Sequence, residues 1–75
     1  MKIKGNEVLR MSEKGFLAIA FRQFDMGMKY KIYRKITYQC EDGTCNNVWE
    51  YVNSFGTQGE AEQYLNMCCD AETIR

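Results

Sequence analysis

Seventy-five residues, 45% of them hydrophobic and 27% charged, provide for one small domain, residues 1–75, and exclude the low-hydrophobicity, high-charge composition of a disordered chain. The net charge of zero hides an asymmetry: residues 1–35 sum to +6 and residues 36–75 to −6. Histidine is absent, which removes the usual general base, the Ser-His and Cys-His nucleophile pairs and the commonest zinc ligand.

Met1 to Lys4 is basic like the start of a secretion signal, but Gly5-Asn6-Glu7 follows and no apolar run of signal length comes next. The longest apolar run, Phe16 to Phe21, is far too short for a membrane span. A cytoplasmic protein with no membrane association is expected. Glu7 to Met11 and Phe16 to Phe24 read as paired strands joined at Ser12-Glu13-Lys14-Gly15. The competing reading is a short helix over 7–14 capped by Asn6 and ended by Gly15, and 16–24 also fits helical spacing.

The strongest local signal lies mid-chain. Tyr30 to Cys40 and Asn46 to Phe55 are rich in aromatic and β-branched residues, and Glu41-Asp42-Gly43-Thr44 lies between them. Asp-Gly favours a two-residue type I′ turn. That turn sets Cys40 opposite Cys45, Ile36 opposite Trp49, Lys35 opposite Glu50 and Arg34 opposite Tyr51. One face then carries Ile32, Arg34, Ile36, Tyr38, Trp49 and Tyr51, and the other Tyr33, Lys35, Thr37, Val48, Glu50 and Val52. Next, Thr57-Gln58-Gly59-Glu60 forms a capping box, and Ala61, Tyr64, Leu65 and Cys68 recur at helical spacing, predicting a helix over about 58–69. The expected fold is α+β: an antiparallel β-meander of three or four strands with a C-terminal α-helix packed on one face.

Four cysteines, Cys40, Cys45, Cys68 and Cys69, suggest either a disulfide framework or free thiols; the lack of a signal segment favours free thiols. All four lie near acidic residues, the wrong setting for a nucleophilic thiolate. A four-thiolate zinc site would need the helix end to reach the hairpin tip, and the element rises leave it about 10 Å short. The glycines form no phosphate-cradling loop, and Glu41-Asp42 is no calcium loop. No cofactor, no metal and no catalytic residue is expected.

Two binding surfaces remain. Glu41, Asp42, Glu60, Glu62, Asp70 and Glu72 form an acidic set suited to a basic surface on a protein partner, in the size and charge style of small phage-type inhibitors of host or defence proteins. A non-enzymatic protein-interaction module is the first expectation. The alternative is a β-sheet nucleic-acid-binding domain using Lys29, Lys31, Arg34, Lys35, Trp49 and Tyr51, with cations on phosphates and rings under bases. A plainer reading competes with both: the charge poles neutralise each other within the fold, and the aromatic face is what the helix covers. The stretch Asn47 to Leu65, with its strand, Phe55-Gly56 joint and Thr57-Gln58-Gly59-Glu60-Ala61 entry, resembles the last strand and helix of arm-type integrase and AP2-like DNA-binding domains. That resemblance spans about a quarter of the chain. It implies a three-stranded sheet inserted into a major groove, although those domains are usually basic and this joint is bordered by acids.

Overall fold

A computed structural model describes residues 2–24 and 26–75, so Asp25, one of the acids in the N-terminal charge balance, lies outside the described residues. The elements are β1 (Lys2–Ile3), β2 (Asn6–Met11), β3 (Leu17–Phe21), β4 (Tyr30–Gln39), β5 (Cys45–Phe55), α1 (Gln58–Met67) and β6 (Thr73–Ile74). The α+β class, the antiparallel meander and the late helix are as expected. The strands number six among the described residues, not three or four. Residues 7–14 are not helical, and the 16–24 segment is extended only over Leu17–Phe21.

The sheet runs β1-β2-β3-β4-β5, with neighbours antiparallel. β3 pairs only with the first half of β4, Tyr30 to Arg34. The edge left beyond it is taken by β6, which lies parallel to β4 at Ile36 and Thr37. The Arg75 N–H donates to the Thr37 carbonyl at 2.9 Å. The β4–β5 hairpin thus projects past the body, and the molecule measures 42 × 25 × 17 Å.

The hairpin register differs from expectation by one residue. Ile36 faces Val48, Lys35 faces Trp49 and Arg34 faces Glu50. The cause is the turn. A type I′ turn needs left-handed backbone at both Asp42 and Gly43, but only Gly43 has it, with φ +87°. The Gly43 N–H donates to the Cys40 carbonyl at 3.1 Å and the Cys40 N–H to the Thr44 carbonyl at 2.9 Å. This is a type I turn followed by a one-glycine bulge, which places three residues in the loop. Asp42 supports it: its carboxylate accepts from the Thr44 hydroxyl (2.7 Å) and N–H (3.0 Å). The expected pairs Cys40–Cys45, Ile36–Trp49, Lys35–Glu50 and Arg34–Tyr51 are therefore replaced, because a one-residue slip turns every side chain of β5 to the other face.

Two apolar clusters sandwich the sheet. On one face Leu17, Ile19 and Ile32 pack under Ala61 and Leu65 of α1, with Tyr30, Val52, Phe55, Tyr64 and Cys68 around them. The Thr57 hydroxyl caps α1 by accepting from the Glu60 N–H at 3.3 Å, and the helix ends at Met67, two residues before the expected end, with Cys68 as its C-cap. On the opposite face Ala18, Ala20 and Tyr33 meet Ile3, with Val8 and Trp49 alongside. β1 therefore curls over the helix-free face. Its two-residue turn, Lys4-Gly5, has both residues at positive φ (49° and 82°), the backbone of a tight hairpin twist.

Asp70 ties the chain leaving α1 to the β2–β3 turn. Its carboxylate accepts from the Lys14 N–H (2.6 Å), the Ser12 hydroxyl (2.8 Å) and the Phe16 N–H (3.2 Å). Partial burial pushes the carboxyl up, but these bonds and the Lys14 charge outweigh it and hold the acid below its usual range. A depressed pKa stabilises the fold above the unfolded value near 3.9, and that contribution is lost as pH falls through the folded value. Asp70→Ala is expected to lower the thermal midpoint by several degrees at neutral pH. The gap between variant and parent should close in the acid range below about pH 4; a gap that persists unchanged at low pH would contradict this role.

Candidate functional site

The one-residue register separates the charges by face. Side chains opposite each other on neighbouring strands share a face. Lys35 with Trp49, Tyr33 with Tyr51, and Lys31 with Ala20 therefore point away from the helix. The Tyr33 and Tyr51 rings meet edge-on at 6.1 Å between centroids, and the Lys4 ammonium lies 6.0 Å from the Tyr33 ring centre. Tyr33 is buried, Trp49 half-buried and Tyr51 half-exposed. Tyr33 serves as the floor, its hydroxyl accepting from the buried Asn6 amide at 3.0 Å. No aspartate or glutamate occupies a strand position on this face among the described residues.

The helix side holds Glu50 and Glu62 together with Arg10, Arg34 and Arg75. Arg10 pairs with Glu62 at 3.0 Å. Arg75 grips Glu50 with two bonds, 2.6 and 3.2 Å, and its own pKa is raised by that partner and by the Tyr38 hydroxyl. Arg34 faces Glu50 across the ladder and Leu17 on the other side. It acts on Tyr64 of the helix, whose phenol is pushed up by burial and by Cys68 while the Arg34 cation opposes them. Arg34 thus does not join Trp49 and Tyr51 on one face, as the two-residue turn had implied. Of the six basic and aromatic candidates, Lys31, Lys35, Trp49 and Tyr51 come together; Arg34 is on the far side, and Lys29 sits in the loop before β4, its N–H bonded to the Gly27 carbonyl at 2.9 Å.

No family model, curated protein or solved structure matches this chain. The arrangement of its own residues is therefore what speaks to function.

The acidic candidates do not converge. Glu41 and Asp42 occupy the hairpin tip, while Glu60 and Glu62 lie at the helix entry beyond the far end of β5, eleven residues or about 35 Å away. Asp70 is spent on the β2–β3 turn and Glu62 on Arg10. Glu72 is exposed between α1 and β6. The cysteines are unbridged, and Cys40 pairs with Thr44 rather than Cys45. Among the described residues no group of Cys, Asp and Glu is arranged to hold a metal ion. No helix is long and apolar enough to cross a membrane.

Sequence reasoning missed three participants. Lys4 reaches the aromatic face because a tight turn folds β1 back, and a two-residue strand leaves no periodic signal. Tyr33 was placed away from Trp49 by the assumed register. Arg75, the only base in the C-terminal half, was the one visible hint of a partner for an acid there.

Proposed function

We propose that this chain is a non-enzymatic binding module that takes single-stranded nucleic acid across the helix-free face of its sheet. One observation carries the reading. Lys35 stands directly opposite Trp49, beside Tyr51 over Tyr33, with Lys31 and Lys4 on the same face and no acidic strand residue among them. Bases stack on exposed rings without regard to sequence, at about 1–3 kcal/mol per base, while ammonium groups meet the phosphates. The strand acids Glu7 and Glu50 lie on the helix side of the sheet, so they do not cancel the local field over Lys35. β1 covers the Ala18–Ala20 part of this face, so the ring area left for a base is that of Tyr51 and the open part of Trp49.

Docking of a basic protein partner on the acidic residues has less support, because three of them, Asp42, Glu62 and Asp70, are already engaged inside the molecule and the others lie far apart.

Titration of a short oligothymidylate followed by Trp49 fluorescence tests the proposal. Three lysine contacts predict a slope of log K against log salt near −2, at about −0.7 per phosphate on a single strand. Lys35→Ala should reduce that slope by about 0.7, and Tyr51→Ala should weaken binding about tenfold or more at constant slope. Absence of binding at low salt, or equal loss with Arg34→Ala and Lys35→Ala, would overturn it.

A further inference from the structure

The outer edge of β5 is unpaired: this strand has β4 on one side and no strand on the other among the described residues. It is eleven residues long and contains no proline, the kind of edge that ordinarily pairs with another strand unless blocked. The direction of its backbone groups follows from its neighbour. The Lys35 N–H is given to the Phe16 carbonyl, and the Thr37 carbonyl is taken by the Arg75 N–H, both on the side away from β5. Their partners Trp49 and Asn47 are therefore non-hydrogen-bonded pairs, and the N–H and C=O of Asn47, Trp49 and Tyr51 point out from the free edge.

The sequence along that edge is a palindrome. Asn47-Val48-Trp49-Glu50-Tyr51-Val52-Asn53 reads the same in both directions about Glu50, apart from the exchange of one aromatic for another. We infer that β5 pairs antiparallel with β5 of a second copy about a two-fold axis through Glu50, forming one continuous sheet. In this register Trp49 of each copy faces Tyr51 of the other, and both residues present outward backbone groups, so four main-chain hydrogen bonds form around the axis. Val48 faces Val52, a matched cross-strand pair on the helix side, and the bulge that turns Asn53 to that side ends the matched stretch there. The two Glu50 residues meet at the centre, where like charges would repel. Each is already held by its own Arg75 through two bonds on the β4 side, away from the axis. Exposure fits as well: Val48 is 42% and Tyr51 50% exposed in the single chain. A groove of about 510 Å³ between Lys2–Lys4 and the Val48–Glu50 edge leaves room for the incoming rings. A two-fold normal to the sheet keeps corresponding faces together, so the two Lys35–Trp49 faces become one strip. The inference does not rest on nucleic-acid binding, and its test contains no oligonucleotide.

Sedimentation equilibrium of the full chain under reducing conditions, from about 10 µM to about 1 mM, should show the mass rising towards twice the monomer value. Tyr51→Pro removes an outward N–H without touching the β4 ladder and should weaken association at least about tenfold. A second measurement is independent of that variant's folding. With Cys40→Ser, Cys45→Ser and Cys69→Ser in place, Glu50→Cys puts two thiols at a non-hydrogen-bonded pair, whose Cα separation near 4.5 Å lies within disulfide range. It should form an intermolecular disulfide at least about tenfold faster than Ser54→Cys in the same background. A monomer at every concentration, or equal cross-linking at positions 50 and 54, would overturn the proposal.

Discussion

Ile32→Ala is expected to cost about 2–5 kcal/mol, a large share of the roughly 4–11 kcal/mol that a chain of this length can hold. Ile32 is fully buried where β3, β4 and α1 meet, packed with Leu17, Ile19, Ala61 and Leu65. The β5 ladder shifts by one residue between the positions facing Ile32 and Tyr33. That bulge turns Asn53 and Phe55 to the helix side beside Val52, so the cavity left by truncation would open beside the least regular part of the hairpin. The surrounding ladder fixes the backbone and limits collapse of the space, which places the cost toward the upper part of the range. Urea unfolding followed by far-UV circular dichroism measures it. Leu9→Ala, at a position 43% exposed on β2, serves as the comparison and should cost less than about 0.5 kcal/mol. Equal losses at the two positions would mean that α1 is not seated over Ile32.

Asn6→Ala should destabilise by about 2 kcal/mol, the loss of its donated bonds being partly offset by removal of its buried, unpartnered Oδ1. The Asn6 side chain is 2% exposed, and its amide donates to the Ile3 carbonyl (3.1 Å), the Lys4 carbonyl (3.3 Å) and the Tyr33 hydroxyl (3.0 Å). The two carbonyls fix which end of the amide faces them, since only the nitrogen can donate. Removing it strands a buried carbonyl and a buried hydroxyl, each costing about 1–3 kcal/mol when left unpaired. Tyr33→Phe removes only one acceptor and should cost about 1 kcal/mol. In the double variant the hydroxyl is gone and cannot be orphaned, so the losses should fall short of additivity by about 0.5 kcal/mol or more. Strict additivity would show that the Asn6–Tyr33 bond does not exist in solution. The same bond matters for the proposed binding face, because it sets the buried ring against which Tyr51 rests.

The hairpin and the capped helix were legible because each carries a dense local signal: aromatic and β-branched runs around Asp-Gly, and Thr57 followed at three residues by Glu60. The strand β3 was legible as apolar alternation, though its end at Phe21 was not, since Arg22 to Phe24 continue the run of large side chains. Other features left little trace. β1 and β6 have two residues each, too few for periodicity, and exist because each covers an otherwise open edge or face. The face of Trp49 was misjudged for a single reason, the choice between two turns that the same Asp-Gly pair can serve. In the observed turn only the glycine is left-handed, and that one extra loop residue exchanged Trp49 and Tyr51 for Val48 and Glu50 across the sheet. Lys35, rather than Arg34, therefore shares the face of Trp49 and Tyr51. The separation of Glu41 and Asp42 from Glu60 and Glu62 followed from the length of the strand between them, whereas the engagement of Asp70 and Glu62 by residues more than fifty positions away left no local trace.

The separation of lysines from carboxylates by the sheet depends on the pairing of β4 with β5. Opposed residues in a non-hydrogen-bonded antiparallel pair bring their Hα atoms close, so proton–proton nuclear Overhauser effects read that pairing directly. Strong Hα–Hα effects between Lys35 and Trp49 and between Tyr33 and Tyr51 are the predicted result. Cross-peaks joining Ile36 to Trp49 and Arg34 to Tyr51 instead would return the rings to the arginine side and contradict the account.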